Sequence, residues 1–283
     1  MKKKIVFIIL ALFILIGVIF YINRNKIKQS LLDIEKKSLP ESVSLNQVKQ
    51  SLRIIDGNIE IIDIIDVEAD LKLSKDSKLG SLPEPIKDVE NILIIPEEFN
   101  LDIPFSSQAP FGIWDEVHKE TCEETSAMMA TRFIKDLGIN SADEADKELL
   151  KLVDWQQNFF GFWKDTDAEQ TATIIQKFYG ISGVEVKYNI TLEDIKNEIV
   201  QGNPVIIPAA GRLLGNPYYT PPGPYYHMVV VRGYTKDKII TNDPGTKHGE
   251  NYAYKNDIFY NAIHDWNKGD VINGKKAMIV VKE

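Results

Sequence analysis

The chain has 283 residues, a formal net charge of -8 and a single cysteine. That length holds one large or two ordinary domains, and an acidic balance with no long basic tract beyond the N-terminus argues against nucleic acid as the main partner. One cysteine excludes an internal disulfide and any multi-cysteine metal site. In an exported protein a lone thiol reads as reactive rather than structural.

Lys2, Lys3 and Lys4 precede an apolar run from Ile5 to Ile22, closed by Asn23, Arg24, Asn25 and Lys26. Those 18 residues meet the roughly 17–25 needed to cross a bilayer. Phe20 to Asn23 offers no small residue for cleavage and no lipoprotein cysteine ends the run, so the reading is one transmembrane helix, an uncleaved signal-anchor. The short basic N-terminus would stay inside, with the bulk of the chain on the extracytoplasmic side of the cell membrane. Residues 1–25 are therefore expected to be the anchor and 26–100 a stalk. Within the stalk, Arg53 to Ile61 reads as a hairpin turning at Asp56-Gly57, and Leu82-Pro83-Glu84-Pro85 as linker. A propeptide-like segment covering the site is the sharper alternative for the stalk.

From Leu101 the chain grows denser in aromatics, and residues 101–283 are expected to form the domain. Leu101 to Phe105 reads as an entering strand, followed by a loop from Ser106 to Glu120. Thr121 and Glu124 have the spacing of a capping box, which makes Thr121 the N-cap and Cys122 the first residue of a helix running to Gly138. Its apolar face is Ala127, Met128, Ala130, Phe133, Ile134 and Leu137. Further helices are expected from Asp143 to about Phe160, from Thr166 to Tyr179 with a box at Thr166 and Glu169, and from Thr191 to Gln201. Strands are expected at Val184–Tyr188, Val205–Ile207, His227–Arg232, Lys238–Thr241, Asn251–Lys255 and Lys276–Lys282, with a short helix near Asp257–Trp266. Helices first and antiparallel-looking strands later give an α+β layering rather than a parallel βαβ sheet.

A thiol at a helix start meets the positive end of the dipole and unsatisfied N–H groups, which favour the nucleophilic thiolate. The bland alternative is a small buried hydrophobe. A base is available in His227, at the mouth of an apolar strand. If that strand and the next form a hairpin turning near Thr235–Asp237, residue 227 falls opposite the neighbourhood of Asp243, which could fix the imidazole tautomer. Asn242 is the fallback orienter, and the bland reading is a strand start and a turn. His118 is expected in solvent on its loop, and His248 and His264 at the surface. No histidine pair has the i, i+4 spacing of a helical metal site, so neither metal nor cofactor is expected. The N–H of Cys122 and the side-chain amide of Gln108 are candidate donors to an oxyanion, although an ordinary loop glutamine is the commoner case.

Ile103-Pro104-Phe105 with Gln108, Cys122 opening a helix, the strand from Tyr226 to Tyr234, and Asn242-Asp243-Pro244-Gly245 together resemble peptidase C-39-like domains. These are a papain-fold group that includes the double-glycine leader peptidases of bacteriocin exporters. The stretch from Leu192 to Ile207 is similar as well, so the resemblance spans most of residues 101–283. It implies a papain-like fold, with an N-terminal helical part carrying the cysteine and a C-terminal antiparallel sheet carrying His and Asp. It also implies Cys122 as nucleophile, His227 as general base, Asp243 as its orienter and Gln108 as oxyanion donor. The family usually has a small residue after the cysteine; here Glu123 follows, and its charge would oppose thiolate. The gap from Gln108 to Cys122 is long, and no transporter domain follows. The expected function is a membrane-anchored, stand-alone cysteine peptidase acting on peptide or protein substrates. A catalytically silent peptide-binding module of the same fold, or a cell-wall peptide amidase, is the alternative; the sequence leaves oligomeric state open.

Overall fold

The computed structural model describes residues 95–283 throughout, together with 32–55, 58–61 and isolated positions between 24 and 30. The apolar run 5–22, the Asp56-Gly57 turn and Leu82–Pro85 lie outside the described residues. Among the described residues no helix is long and apolar enough to cross a membrane. The chain divides into a unit ending at Leu39, in which residues 32–37 are helical, and a unit from Pro40 to Glu283.

Residues 40–51, read above with the stalk, fold with the second unit. Val43 bridges Leu101, and helix α1 (Leu45–Ser51) buries Leu45 and Val48 in the core. Apolar residues three apart share one helix face, which is enough to seat a two-turn helix. Gly202 makes the seat possible: its φ is +83°, and a Cβ there would lie 3.1 Å from Leu45 and 3.2 Å from Val48. Strands β1 (Leu52–Ile55) and β2 (Asn58–Ile61) then pair antiparallel, Leu52 against Ile61.

The main sheet is made of β3 (Phe99–Asn100), β4 (Val184–Tyr188), β5 (Val205–Ala209), β6 (His227–Tyr234), β7 (Lys238–Asn242), β8 (Tyr252–Lys255) and β9 (Ala277–Val281). Their order is β4-β9-β5-β6-β7-β8, with β3 beside the end of β6, and every pairing is antiparallel. Successive side chains of a strand face opposite sides. Strands β5, β6 and β9 are buried at every position, so both faces are covered there. That explains why they read as unbroken apolar runs rather than alternating ones.

The cover comes from α2 (Cys122–Ile134), which packs on β5, β6 and β9, and from α5 (Leu192–Val200), which packs on β3, β5 and β6. Helix α3 (Ala142–Phe160) lies against α2, and α4 (Ala168–Lys177) against α2, β4 and β9. A turn of helix, α6 (Gly211–Leu214), packs on α7 (Asn256–Ala262). The architecture is α+β, as the order of elements predicts.

Three helix boundaries and the entering strand differ from expectation: the strand is β3 at Phe99–Asn100 rather than Leu101–Phe105, and α7 ends at Ala262 rather than near Trp266. The box on α4 is Asp167 with Gln170, one residue beyond the expected Thr166 and Glu169. Both pairs have the spacing, but the Thr166 hydroxyl is buried against Thr171, which leaves the carboxylate to accept at the cap. Helix α2 stops at Ile134, capped by Lys135, rather than at Gly138.

One buried charge fastens the entering segment to the sheet. Arg232 on β6 is 1% exposed. It donates from Nε to Asn100 Oδ1 at 3.0 Å, and from Nη1 to the Ile103 carbonyl and Asn242 Oδ1, both at 3.2 Å. Burial pushes the guanidinium down to about 10, so it stays charged at neutral pH. Arg232→Ala would strand Asn100 Oδ1, at about 1–3 kcal/mol, and take one donor each from the Ile103 carbonyl and Asn242 Oδ1. We expect urea denaturation to show a loss of roughly 2–4 kcal/mol; an unchanged midpoint would mean the guanidinium does not hold this segment.

Candidate active site

Four elements converge on one cleft. The start of α2 brings Cys122, the start of β6 brings His227, the end of β7 brings Asp243, and the loop before α2 brings Gln108. Cys122, His227 and Gln108 line a cleft of about 890 Å³, walled by Trp114, Tyr218, Tyr225, Tyr226 and Trp266. Asp243 stands behind His227, fully buried.

The hairpin has the expected turn, with Thr235 N–H donating to the Lys238 carbonyl. Its register pairs Val230 with Asn242, and a bulge between Val231 and Gly233 intervenes before the turn. Asp243 therefore falls just past the last pair, and its Oδ1 lies 2.8 Å from His227 Nε2. An ionised carboxylate only accepts, so Nε2 carries the proton and Nδ1 is left for another partner. Tyr219 meets the imidazole edge-to-face at 5.5 Å. Gly245 closes another side: a Cβ there would lie 2.9 Å from His227 Cε1.

Asp243 accepts more than the imidazole. Tyr219 Oη donates to Oδ2 at 2.6 Å and Asn216 Nδ2 at 2.9 Å, Tyr254 Oη donates to the same oxygen, and the Gly245 N–H donates to Oδ1 at 2.9 Å. Burial by itself would raise the carboxyl, but His227 and these hydroxyls outweigh it and hold Asp243 below the usual range. The sequence reading gives Tyr219, Asn216 and Tyr254 no part in holding Asp243; they stand 24, 27 and 11 residues from it. Asn242, the fallback orienter, makes no hydrogen bond to His227 among the described residues. Its amide donates to the Ile103 carbonyl at 2.9 Å, and its oxygen accepts from Arg232.

At Cys122 the structure overturns an expectation. Helix α2 does start at this residue, yet the thiol is not favoured as thiolate. Its Sγ donates to Glu123 Oε2 at 3.0 Å. Burial first, and then Glu123, push the thiol well above its ordinary value, although the Met228 N–H works the other way. Burial, followed by the neighbouring Glu124, likewise pushes Glu123 up. Nor does the capping box form. The Thr121 hydroxyl donates to the Gln108 carbonyl at 3.3 Å, and Glu124 turns toward α3 to accept from Gln156. Glu124 Oε2 is buried with no hydrogen-bond partner among the described residues.

Gln108 is braced on both sides. Its backbone N–H donates to the Pro244 carbonyl and its Nε2 to the His118 carbonyl, each at 2.9 Å. A side-chain amide has two N–H groups, so this bond uses only one of them. His118 is not in solvent as expected. It is buried, with Nδ1 at 2.9 Å from Asp115 and Nε2 at 2.9 Å from Asp146 on α3, because two carboxylates converge on its ring. His248 is half-buried and stacks on Tyr218 at the cleft, and His264 is half-buried with Nδ1 at 3.1 Å from the Gly274 carbonyl. Among the described residues no three His, Cys, Asp or Glu side chains are grouped to hold a metal ion.

The acid pair makes stability depend on pH. Burial pushes Glu124 up to about 7 from 4.5. A carboxyl raised on folding keeps its proton in the native state while the unfolded chain has already lost it. Stability is then full below about 4.5 and falls as the pH rises through about 7. At about 1.4 kcal/mol per pH unit, we expect wild-type protein to lose roughly 2–3 kcal/mol more than Glu124→Gln between pH 5 and pH 8. Parallel denaturation curves at both pH values would refute it.

A family model described as the Peptidase_C39 like family matches residues 100–269. No curated protein matches the chain. Among solved structures, a chain described as a C39-like peptidase from Bacillus anthracis is 18% identical, with 66% of this chain and 99% of that one covered and a TM-score of 0.45. The family match spans more than half of the chain and takes in Gln108, Cys122, His227 and Asp243 alike: this chain belongs to the Peptidase_C39 like family.

Proposed function

We propose that the chain is a cysteine peptidase in which Cys122 attacks an amide carbonyl and His227 handles the proton. The observation that carries this reading is the buried His227–Asp243 pair, at 2.8 Å, standing over a cleft that also holds Cys122. His227 Nδ1 takes the thiol proton as sulfur bonds to the carbonyl carbon. The same proton then goes to the departing amine as the C–N bond breaks. Water, deprotonated by His227, attacks the thioester carbonyl to release the acid and restore the thiol. Asp243 fixes the imidazole tautomer, and its surrounding donors keep it an acceptor throughout. The Cys122 N–H and the second N–H of Gln108 receive the oxyanion. The aromatic cleft suits an extended peptide. The basic N-terminus and apolar run support a signal-anchor, with this domain on the extracytoplasmic face.

One observation favours a second reading. The Cys122 thiol is held neutral by burial and Glu123, as in a silent module that keeps the cleft for binding peptides. Incubating the full chain with denatured proteins and reading the products by mass spectrometry separates the two. We expect cleavage that Cys122→Ala abolishes, that His227→Ala slows by about 10²–10⁴-fold, and that Gln108→Ala slows by about 10²–10³-fold in kcat with little change in KM. Peptide binding in the cleft with no turnover at any pH would instead establish the silent module.

A further inference from the structure

The thiol of Cys122 and the carboxyl of Glu123 meet at 3.0 Å, and both residues are buried in the lining of the cleft. Adjacent residues of a helix do not face each other. Their contact therefore requires the Glu123 side chain to turn back along the start of α2 toward the sulfur. Among the described residues no hydrogen bond joins the thiol to His227; Nε2 of that ring is taken by Asp243. The groups around the pair are mostly acidic. Glu124 acts on it from α2 itself and Asp165 from the loop before α4; Tyr226, the residue before β6, lies within electrostatic reach, and Glu120 from the loop before α2 and His227 from β6 line the same cleft. Two adjacent anions are strongly disfavoured in such a site, so an ionised Glu123 opposes the thiolate beside it.

We propose that Glu123 is a positioning residue: its carboxyl holds the Cys122 thiol in a neutral resting arrangement, and the nucleophile forms when that hydrogen bond gives way to one with His227. In the exchange the S–H bond breaks, its electron pair stays on sulfur, and the proton bonds to His227 Nδ1. Glu123 neither gains nor loses a proton. The proposal rests on reading Cys122 as the nucleophile. It makes Glu123 the residue that decides how much thiolate exists before substrate arrives.

The test is the pH dependence of alkylation by iodoacetamide on the full chain, whose single cysteine makes the reagent report on Cys122 alone. Wild-type protein is compared with Glu123→Gln and Glu123→Ala. In both variants the thiolate should appear at lower pH, raising the alkylation rate at pH 7 by about tenfold or more. The acid limb of kcat/KM should move the same way. Coincident alkylation profiles in all three proteins overturn the proposal. Glu123→Gln keeps the shape and removes only a carboxyl that Glu124 repels, so a Gln variant that cannot fold overturns it too, by making Glu123 a structural prop. A shifted alkylation profile with no hydrolysis of any substrate would leave the role of Glu123 standing and sink the peptidase reading instead.

Discussion

The Asp243 carboxylate is the point on which the domain's parts agree. It is buried at the end of β7 and accepts from β6 through His227, from β8 through Tyr254, from the proline-rich loop through Asn216 and Tyr219, and from its own turn through Gly245. A buried carboxylate costs several kcal/mol unless its lone pairs are satisfied. These donors satisfy them and fix one orientation of the acid. Because they come from separate stretches, the imidazole geometry is settled only once the sheet and the loop are both in place. The cleft is thus a product of the whole fold, not of a local motif.

At the neighbouring helix start two electrostatic effects oppose each other, and their sizes decide the outcome. A helix N-terminus favours an adjacent anion by roughly 0.3–1 kcal/mol, up to about 2 in sheltered geometry. Burial of an unpaired anion costs more, and a second carboxyl adds to it. Cys122 has the favourable position and the unfavourable surroundings, and the surroundings win. The same balance acts on Glu123 and Glu124, so three acids in a row along the start of α2 are all pushed toward their protonated forms.

Much of this was legible beforehand because it follows from periodicity and spacing. The α+β layering, the helix that begins at Cys122, the strand that begins at His227 and the hairpin that returns to Asp243 all come from patterns of apolar residues and turn formers. What was not legible depends on where side chains go after the fold forms. Thr121 and Glu124 have the letters of a capping box, but α3 lies alongside and Gln156 takes the carboxylate. His118 looks like a loop histidine until Asp146, 28 residues away, closes on it. Asn216 and Tyr254 carry no local signal at all, since their importance lies in reaching one oxygen across the sheet. The segment 40–51 passes for part of a stalk because Leu45 and Val48 make too short a stripe to stand out.

That short stripe gives the second unit a mechanical order. Helix α1 is held by two buried side chains, about 1.5–3 kcal/mol each, and its leading residue Val43 by backbone bonds to Asn100 and Asp102. The strands behind it are tied by ladders of antiparallel pairs and by Arg232. A pull arriving along the chain at Pro40 would therefore peel α1 away first. The cleft lies beyond that joint, so a pull on this end of the unit is absorbed before it can reach the imidazole and the thiol.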